Sequence, residues 1–150
     1  MLAWRVCKAR YPAYDGTGAM LWGARWNSPG HPIIYATDSF AGAILELLAH
    51  SARPRTLPRE PHHGIEIEIP DDLIEVVDPA AVPGWEGKAS RSARAFGDAW
   101  LAEQRSAVLL VPALPCRPVG RNVLINPAHP DAERISPGPP FPVPWDERLF

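Results

Sequence analysis

An arginine between two tryptophans is the residue best suited to bind an anion. Residues 22–30 read Trp-Gly-Ala-Arg-Trp-Asn-Ser-Pro-Gly, so Arg25 lies in a segment rich in turn-forming residues. A guanidinium is a planar fork that matches phosphate or carboxylate oxygens, and neighbouring indoles can restrain it or stack on a ligand ring. Two interpretations follow. Arg25 holds an anionic ligand, or it is a structural arginine hydrogen-bonded to its own loop.

A carboxylate follows on a predicted helix. Residues 33–36 predict a short buried strand, after which Thr37 or Asp38 can cap a helix that runs to about Ala52. Glu46 shares a side of this helix with mostly small residues that allow a ligand or another backbone to approach, or it is a solvated surface glutamate. The apolar side chains recur at helical spacing on a different face, made of Phe40, Ala41, Ile44, Leu45 and Leu48.

Several spaced motifs occur in an order that is found in one known family. The N-terminal ones are Gly16-x-Gly18-Ala19, Gly23-x-Arg25-Trp26-Asn27-x-x-Gly30, Tyr35 and Glu46. The C-terminal ones are Val111-Pro112, Asn122-Val-Leu-Ile-Asn126-Pro127-x-His129-Pro130-Asp131 and Phe141-x-Val143-x-Trp145-Asp146-x-Arg148-Leu149. Together they resemble the RES domain, the toxin of a bacterial toxin–antitoxin system, over nearly the whole chain.

Two positions depart from the pattern of that family. The family takes its name from an arginine, a glutamate and a serine, and the serine should follow the Val-Pro pair, where this chain has Ala113. The second glycine of the usual Gly-Gly-Arg-Trp is Ala24, which matters only if the backbone there needs a positive φ. Arg25 and Glu46 therefore carry over from the family, and a role for a hydroxyl at position 113 does not.

The resemblance implies chemistry on NAD as substrate. Arg25 would hold the pyrophosphate, the Tyr35 ring would form an aromatic wall for nicotinamide, and Glu46 would stabilise the positive charge that develops on ribose as the nicotinamide–ribose bond breaks. These three are the predicted catalytic residues. Predicted nucleotide contacts come from Arg25, Trp26, Asn27, Tyr35 and Asn126.

The acceptor and the partner leave alternatives open. Water or inorganic phosphate as acceptor would make the chain an NAD glycohydrolase or an NAD phosphorylase that depletes NAD, which is the favoured interpretation, whereas a protein side chain would make it an ADP-ribosyltransferase. A weakly active or inactive nucleotide-binding homologue is the competing class, because of Ala113. The resemblance also implies a cognate antitoxin with an Xre-type DNA-binding domain, and it allows a homo-oligomer within that complex.

Composition sets the broad class. A chain of 150 residues that is 46% hydrophobic can bury one ordinary core, so a single domain over residues 1–150 is expected. The net charge of −2 and the absence of a basic run argue against direct nucleic-acid binding. Without an apolar leader or a membrane-length segment, we expect a cytoplasmic protein. The two cysteines and five histidines show no metal-ligand spacing, so no metal is expected.

The order of predicted elements favours an α+β fold. Residues 2–6 predict an edge or barrel strand, and residues 64–70 alternate with Ile65, Ile67 and Ile69 inward. Residues 73–77 could pair with that strand through a Pro-Asp-Asp turn. Residues 90–104 predict a helix that buries Ala93, Phe96, Trp100 and Leu101, and residues 107–111 and 123–125 predict buried strands. The resemblance implies a fold like the core of diphtheria-toxin-like ADP-ribosyltransferases.

Overall fold

One mixed sheet runs through the chain in the computed structural model, which describes residues 1–51 and 56–150. Three α-helices and several short 3-10 turns connect its strands. In chain order the elements are β1 Leu2–Lys8, α1 Thr17–Trp22, β2 Ile34–Thr37, α2 Phe40–Ala49, β3 His62–Glu68, β4 Ile74–Val76, α3 Arg91–Glu103, β5 Val108–Pro112, β6 Arg121–Ile125, β7 Ser136–Pro137 and β8 Phe141–Pro142.

The strands lie in the order β4-β5-β6-β2-β1-β3-β7, and β8 also pairs with β3. All these pairs are antiparallel except β4 with β5. Of the two positions predicted for residues 2–6, an edge strand or a barrel strand, the edge position is wrong, because β1 lies between β2 and β3. The predicted pairing of residues 73–77 with residues 64–70 is also wrong. Residues Asp71–Leu73 form a 3-10 turn instead of a hairpin, and β4 then pairs with β5.

Alternation along the strands sends successive side chains into two separate core clusters. On β6, Val123 and Ile125 pack in one cluster while Leu124 packs in the other. The second cluster also contains Trp100 of α3, so we call the side of the sheet that it covers the α3 face. The predicted inward set of Ile65, Ile67 and Ile69 is confirmed, since each is at most 1% exposed.

Helix α3 matches its prediction closely, and α2 matches only in part. Ala93, Trp100 and Leu101 of α3 are buried, and Phe96 is half-buried. The cap of α2 is Ser39, whose hydroxyl accepts from the Gly42 N–H at 3.0 Å, rather than Thr37 or Asp38. The helix ends at Ala49, and the predicted end at Ala52 lies outside the described residues.

The buried side of α2 differs from the predicted apolar stripe. Gly42 and Ala43 are its buried residues, whereas Leu45 is 46% exposed and Ala41 is also exposed. The helix packs against β1 and the turn Leu114–Cys116, where small side chains permit a close approach. The side that carries Glu46 therefore faces the protein.

None of the helices in residues 1–51 and 56–150 combines the length and the apolar character that a membrane span requires.

Candidate active site

A cavity of about 1000 Å³ lies between α2, β1, β2 and the loop that carries Arg25. Its volume is at the upper end of the range usual for small-molecule sites. Arg25, Trp26, Tyr35 and Glu46 all line it, although they come from a loop, a strand and a helix. The fold thus brings four of the six predicted site residues to one place.

The Arg25 guanidinium is anchored through one of its nitrogens. Its Nη1 donates to the carbonyl oxygens of Trp85 and Gly87, both at 2.9 Å. These acceptors lie about sixty residues away rather than in the loop of Arg25 itself. Because Nη1 carries two of the five guanidinium N–H groups, Nε and Nη2 keep three donors without an acceptor among the described residues. Arg25 is therefore both held by the fold and able to bind an anion.

The two tryptophans beside Arg25 have different surroundings. Trp26 is 0% exposed, and its ring stacks on Trp85 at a centroid distance of 6.2 Å and meets the edge of Phe96. Trp22 is 83% exposed and does not line the cavity. Neither indole therefore offers a ring face to a ligand in the cavity. Trp26 instead anchors the loop in the core.

Helix α3 holds the same loop at two consecutive residues. A side chain at Gly97 would overlap the Trp26 carbonyl, so glycine allows the helix to touch the main chain of the loop. The Asp98 carboxylate accepts from the backbone N–H of Ser28 at 2.8 Å and from its hydroxyl at 2.5 Å. Within the loop, Gly23 has a φ of 67°, a conformation that glycine adopts readily. Ala24 is not among the described residues with positive φ, so alanine is tolerated there.

Asn27 links the loop to Tyr35. The Tyr35 hydroxyl donates to Asn27 Oδ1 at 2.7 Å, while Asn27 Nδ2 donates to the carbonyls of Ala19 and Ser28. Burial raises the pKa of Tyr35 above its usual range, so the hydroxyl is a neutral donor. Asn27 is fully buried and does not line the cavity; it acts by fixing Tyr35, which does.

Glu46, on α2, forms another part of the cavity wall. Its Oε1 accepts from Asn122 Nδ2 at 2.8 Å, and its Oε2 is 3.6 Å from Nδ1 of His50, one helical turn later. The Glu46 side chain is 18% exposed, whereas that of His50 is 80% exposed. Glu46 is thus a partly buried carboxylate with one oxygen fixed by an amide, and not a solvated surface residue.

Several polar residues that line the cavity were not predicted as site residues, among them Arg5, His62 and Asn122. Arg5 donates from Nη1 to the Tyr35 carbonyl at 2.8 Å, and its Nε is buried without a partner among the described residues. His62 is 7% exposed, and its buried Nδ1 is likewise unpaired in the described part of the chain. Burial lowers the pKa of His62, which favours the neutral ring. Asn122 opens the C-terminal motif of residues 122–131, and its place in that motif is the sequence feature that could have indicated a role in the site.

Two positions singled out in the sequence, Asn126 and Ala113, do not line the cavity. Asn126 is buried beyond the end of β6, where its Oδ1 accepts from the Ala128 N–H at 3.0 Å, and it does not line the cavity. Ala113 is 0% exposed and follows β5; its neighbours Leu114 and Pro115 line the cavity, but it does not.

The thiols near the site are poor nucleophiles at neutral pH. Burial raises the pKa of Cys7, which lines the cavity. Burial and the negative charges of Glu46 and Asp38 raise the pKa of Cys116. A protonated thiol reacts slowly, so Glu46 and the guanidinium groups remain the chemical groups of interest. Within residues 1–51 and 56–150, no group of three or more His, Cys, Asp or Glu side chains is placed to hold a metal ion.

Proteins named as toxins are similar to this chain over most of its length. A toxin of Sphingobium sp. (strain YBL2) named Prs ADP-ribosylating toxin is 43% identical over 141 residues, which is 88% of this chain and 86% of the relative. A protein of Pseudomonas putida named Toxin Res is 34% identical over 89% of both chains. A protein of Yersinia enterocolitica with the same name is 34% identical over 99% of both chains.

The fold also has a solved counterpart. A chain in the crystal structure of the M. tuberculosis MbcT–MbcA toxin–antitoxin complex superposes with a TM-score of 0.76 at 22% identity, covering 95% of this chain and 83% of that one. This likeness confirms the mixed α+β fold. The model of the RES domain matches residues 2–146, and the chain therefore belongs to the RES domain family.

Proposed function

We propose that this chain is an NAD-consuming enzyme that cleaves the nicotinamide–ribose bond and acts as the toxin of a toxin–antitoxin pair. The observation that carries the proposal is the meeting of Arg25, Tyr35 and Glu46 on the walls of one cavity. The relatives named as toxins support the biological role, and the name of the Sphingobium protein supports chemistry on an ADP-ribosyl group.

Each of the three residues matches one part of NAD. Nε and Nη2 of Arg25, which have no acceptor among the described residues, suit two oxygens of the pyrophosphate, since a guanidinium binds such oxygens as a fork. Tyr35 offers an aromatic ring whose hydroxyl is already engaged by Asn27. The Glu46 carboxylate would stabilise the oxocarbenium-like ribose of the transition state. Nicotinamide leaves from a pyridinium as a neutral molecule, so this step needs no general acid.

The acceptor separates two versions of the proposal. Hydrolysis or phosphorolysis would deplete NAD, and the cavity of about 1000 Å³ can admit a small acceptor beside the sugar. Transfer to a protein side chain is the alternative, and the name of the 43% identical relative favours it specifically.

Purified protein incubated with NAD tests the chemistry directly. Release of nicotinamide with buffer alone, with inorganic phosphate or with a cell lysate as protein acceptor would be followed by chromatography. We expect release in the first or second arm. ADP-ribose as product indicates water as acceptor, its phosphorylated form indicates phosphate, and labelled protein in the third arm alone indicates the alternative. No release in any arm would contradict the enzymatic proposal.

The partner is tested separately by growth. We propose that a cognate antitoxin, with a DNA-binding domain of the Xre type, neutralises this chain. Expression of the chain alone should slow growth and lower the cellular NAD level, and co-expression of the antitoxin encoded beside it should restore both. Equal growth with and without the antitoxin would contradict the toxin role even if the purified protein cleaves NAD.

A further inference from the structure

Asn122 is the one described side chain that donates a hydrogen bond to the Glu46 carboxylate at 3 Å or less. The two residues are 76 positions apart, and the bond from Nδ2 to Oε1 measures 2.8 Å. The identity of the amide atoms follows from chemistry, because the reverse orientation would place the amide oxygen against a carboxylate.

We propose that Asn122 is a positioning residue that acts through Glu46: it fixes one carboxylate oxygen and so aims the other at the ribose of the substrate. This inference rests on the proposed function. With Oε1 committed to Asn122, Oε2 is the oxygen left for the developing positive charge. A carboxylate held in advance in this way stabilises a transition state without having to reorganise.

The surroundings of Asn122 argue against a role in stability alone. It begins a run on β6 whose other members, Val123, Leu124 and Ile125, are all 0% exposed. Its own Oδ1 is buried and has no partner among the described residues. A buried amide that served the fold would be expected to satisfy both of its ends, because an unpaired buried acceptor is destabilising. Within the described part of the chain, the amide oxygen of Asn122 has no partner and its amide nitrogen donates to Glu46.

The register of the sheet explains how the amide reaches the helix. Asn122 pairs with Thr37 on β2 and with Val111 on β5. Two residues along each strand, Leu124 and Tyr35 point to the α3 face, so Asn122 points to the same side as the predicted aromatic wall. Thr37 leads into the Ser39 cap of α2, which sets the distance between Glu46 and the sheet.

Asn122→Asp gives the sharpest test. The side chain keeps its shape, but the group that donates to Glu46 becomes titratable. When the pair of carboxyls holds one shared proton, the protonated carboxyl introduced at position 122 can still donate to Glu46. When that proton is lost at higher pH, two carboxylates repel each other and the hydrogen bond disappears. We therefore expect the kcat profile of Asn122→Asp against pH to gain an alkaline limb that the wild type lacks. His50 and Cys116, the titratable neighbours of Glu46, are the same in both proteins.

Gln104→Glu is the matched control. It makes the same amide-to-carboxylate change at the end of α3, outside the cavity, and its pH profile should follow the wild type. In Asn122→Ala we expect kcat for nicotinamide release to fall by about tenfold, with the KM for NAD changed by less than about twofold. Combined with Glu46→Gln, the same substitution should cost less than about a further twofold, because a residue that acts through the Glu46 charge has nothing left to position.

The outcomes separate the two proposals. No nicotinamide release by the wild type would overturn the proposed function, and this inference with it. Normal release by the wild type, together with an Asn122→Asp profile that follows the wild type, would overturn the positioning role alone. The positioning role would also be overturned if Asn122→Ala lowered kcat by the same factor in the Glu46→Gln background as in the wild type. If Asn122→Ala fails to fold by circular dichroism, the isosteric Asn122→Asp profile decides.

Discussion

The two walls of the cavity are held in different ways. The Arg25 wall is fixed by two backbone carbonyls, by Asp98 and Gly97 of α3, and by the bond between Asn27 and Tyr35. The Glu46 wall depends on the Ser39 cap and on the one amide of Asn122. The first wall is thus part of the core, while the second is a helix side chain for which, among the described residues, only the Asn122 amide donates a hydrogen bond at 3 Å or less.

This difference suggests that the two walls have different roles in binding and in catalysis. A site that binds a large anionic substrate benefits from rigid donors, because pre-organisation reduces the entropy lost on binding. A carboxylate that stabilises charge developed only in the transition state contributes mainly to the rate of the reaction rather than to substrate binding. We therefore expect damage to the Arg25 wall to appear in binding and stability, and damage to the Glu46 wall to appear in the rate of chemistry.

The largest expected effect is on the Glu46 wall. Glu46→Gln keeps the size of the side chain and removes its charge, so the rate of nicotinamide release should fall by roughly 10²- to 10³-fold, with NAD still bound. Single-turnover assays and calorimetric titration with NAD measure the two quantities. The control is Glu68→Gln, on an exposed strand position outside the cavity, which should leave both unchanged. A kcat close to the wild-type value in Glu46→Gln would show that the Glu46 charge takes no part in the reaction.

On the Arg25 wall, Arg25→Ala should weaken NAD binding by about 10- to 150-fold, the equivalent of losing a charged hydrogen-bonded pair worth about 1.5–3 kcal/mol. Arg25→Lys should restore little, because an ammonium cannot keep both backbone carbonyls and still form a fork toward phosphate. Arg148→Ala, at a side chain that is 91% exposed, is the control. Equal NAD affinity in Arg25→Ala and Arg148→Ala would leave Arg25 with a structural role only.

Sequence reasoning recovered what depends on local patterns. The alternation of Ile65, Ile67 and Ile69 and the helical spacing of Ala93, Trp100 and Leu101 each report burial within one element, and these predictions are confirmed. The motifs also carried Arg25, Tyr35 and Glu46, which the fold brings to one cavity. Their roles in catalysis stay predictions.

The features that the sequence did not predict depend on pairing between distant segments of the chain. The acceptors of Arg25 lie in a loop with no regular pattern near Trp85, and the link from Asn122 to Glu46 follows from strand register, which period-two alternation does not specify. The same limitation explains β4, whose apolar residues suit pairing with β3 or β5 equally well. The prediction of a buried apolar stripe on α2 was wrong because the small residues Gly42 and Ala43, rather than large apolar ones, are the buried residues of this helix.

A smaller effect is expected when Tyr35 loses its hydroxyl. Tyr35→Phe keeps the ring but leaves the buried Asn27 Oδ1 without its donor, so the free energy of unfolding should fall by about 1–3 kcal/mol. Nicotinamide release should change by less than about threefold, because the hydroxyl is engaged by the loop and not by the substrate. Tyr14→Phe, at a half-buried tyrosine outside the cavity, controls for loss of a phenol. A large loss of rate with unchanged stability would show that the Tyr35 hydroxyl reaches the ribose.

The smallest effect is expected at Ala113, where the chain departs from its family. Ala113 is 0% exposed just after β5, and its N–H donates to the Gly120 carbonyl at 3.2 Å, so a hydroxyl there would point into packed surroundings next to Leu114 and Pro115 of the cavity wall. If a substrate-orienting hydrogen bond is what the family serine supplies, Ala113→Ser gains about 0.5–1.5 kcal/mol, which is several-fold in kcat/KM for NAD.

Ala107→Ser separates this gain from the cost of a buried hydroxyl. Ala107 is also 0% exposed and lies just before the opposite end of the same strand, away from the cavity, so a serine there should lower the free energy of unfolding without changing kcat/KM. In Ala113→Ser alone, a rise in kcat at an unchanged KM for NAD would place the hydroxyl with the Glu46 wall, where effects appear in the rate. A loss of activity in Ala113→Ser with the fold intact would show instead that the turn beside α2 is packed around alanine, and that the serine role does not transfer.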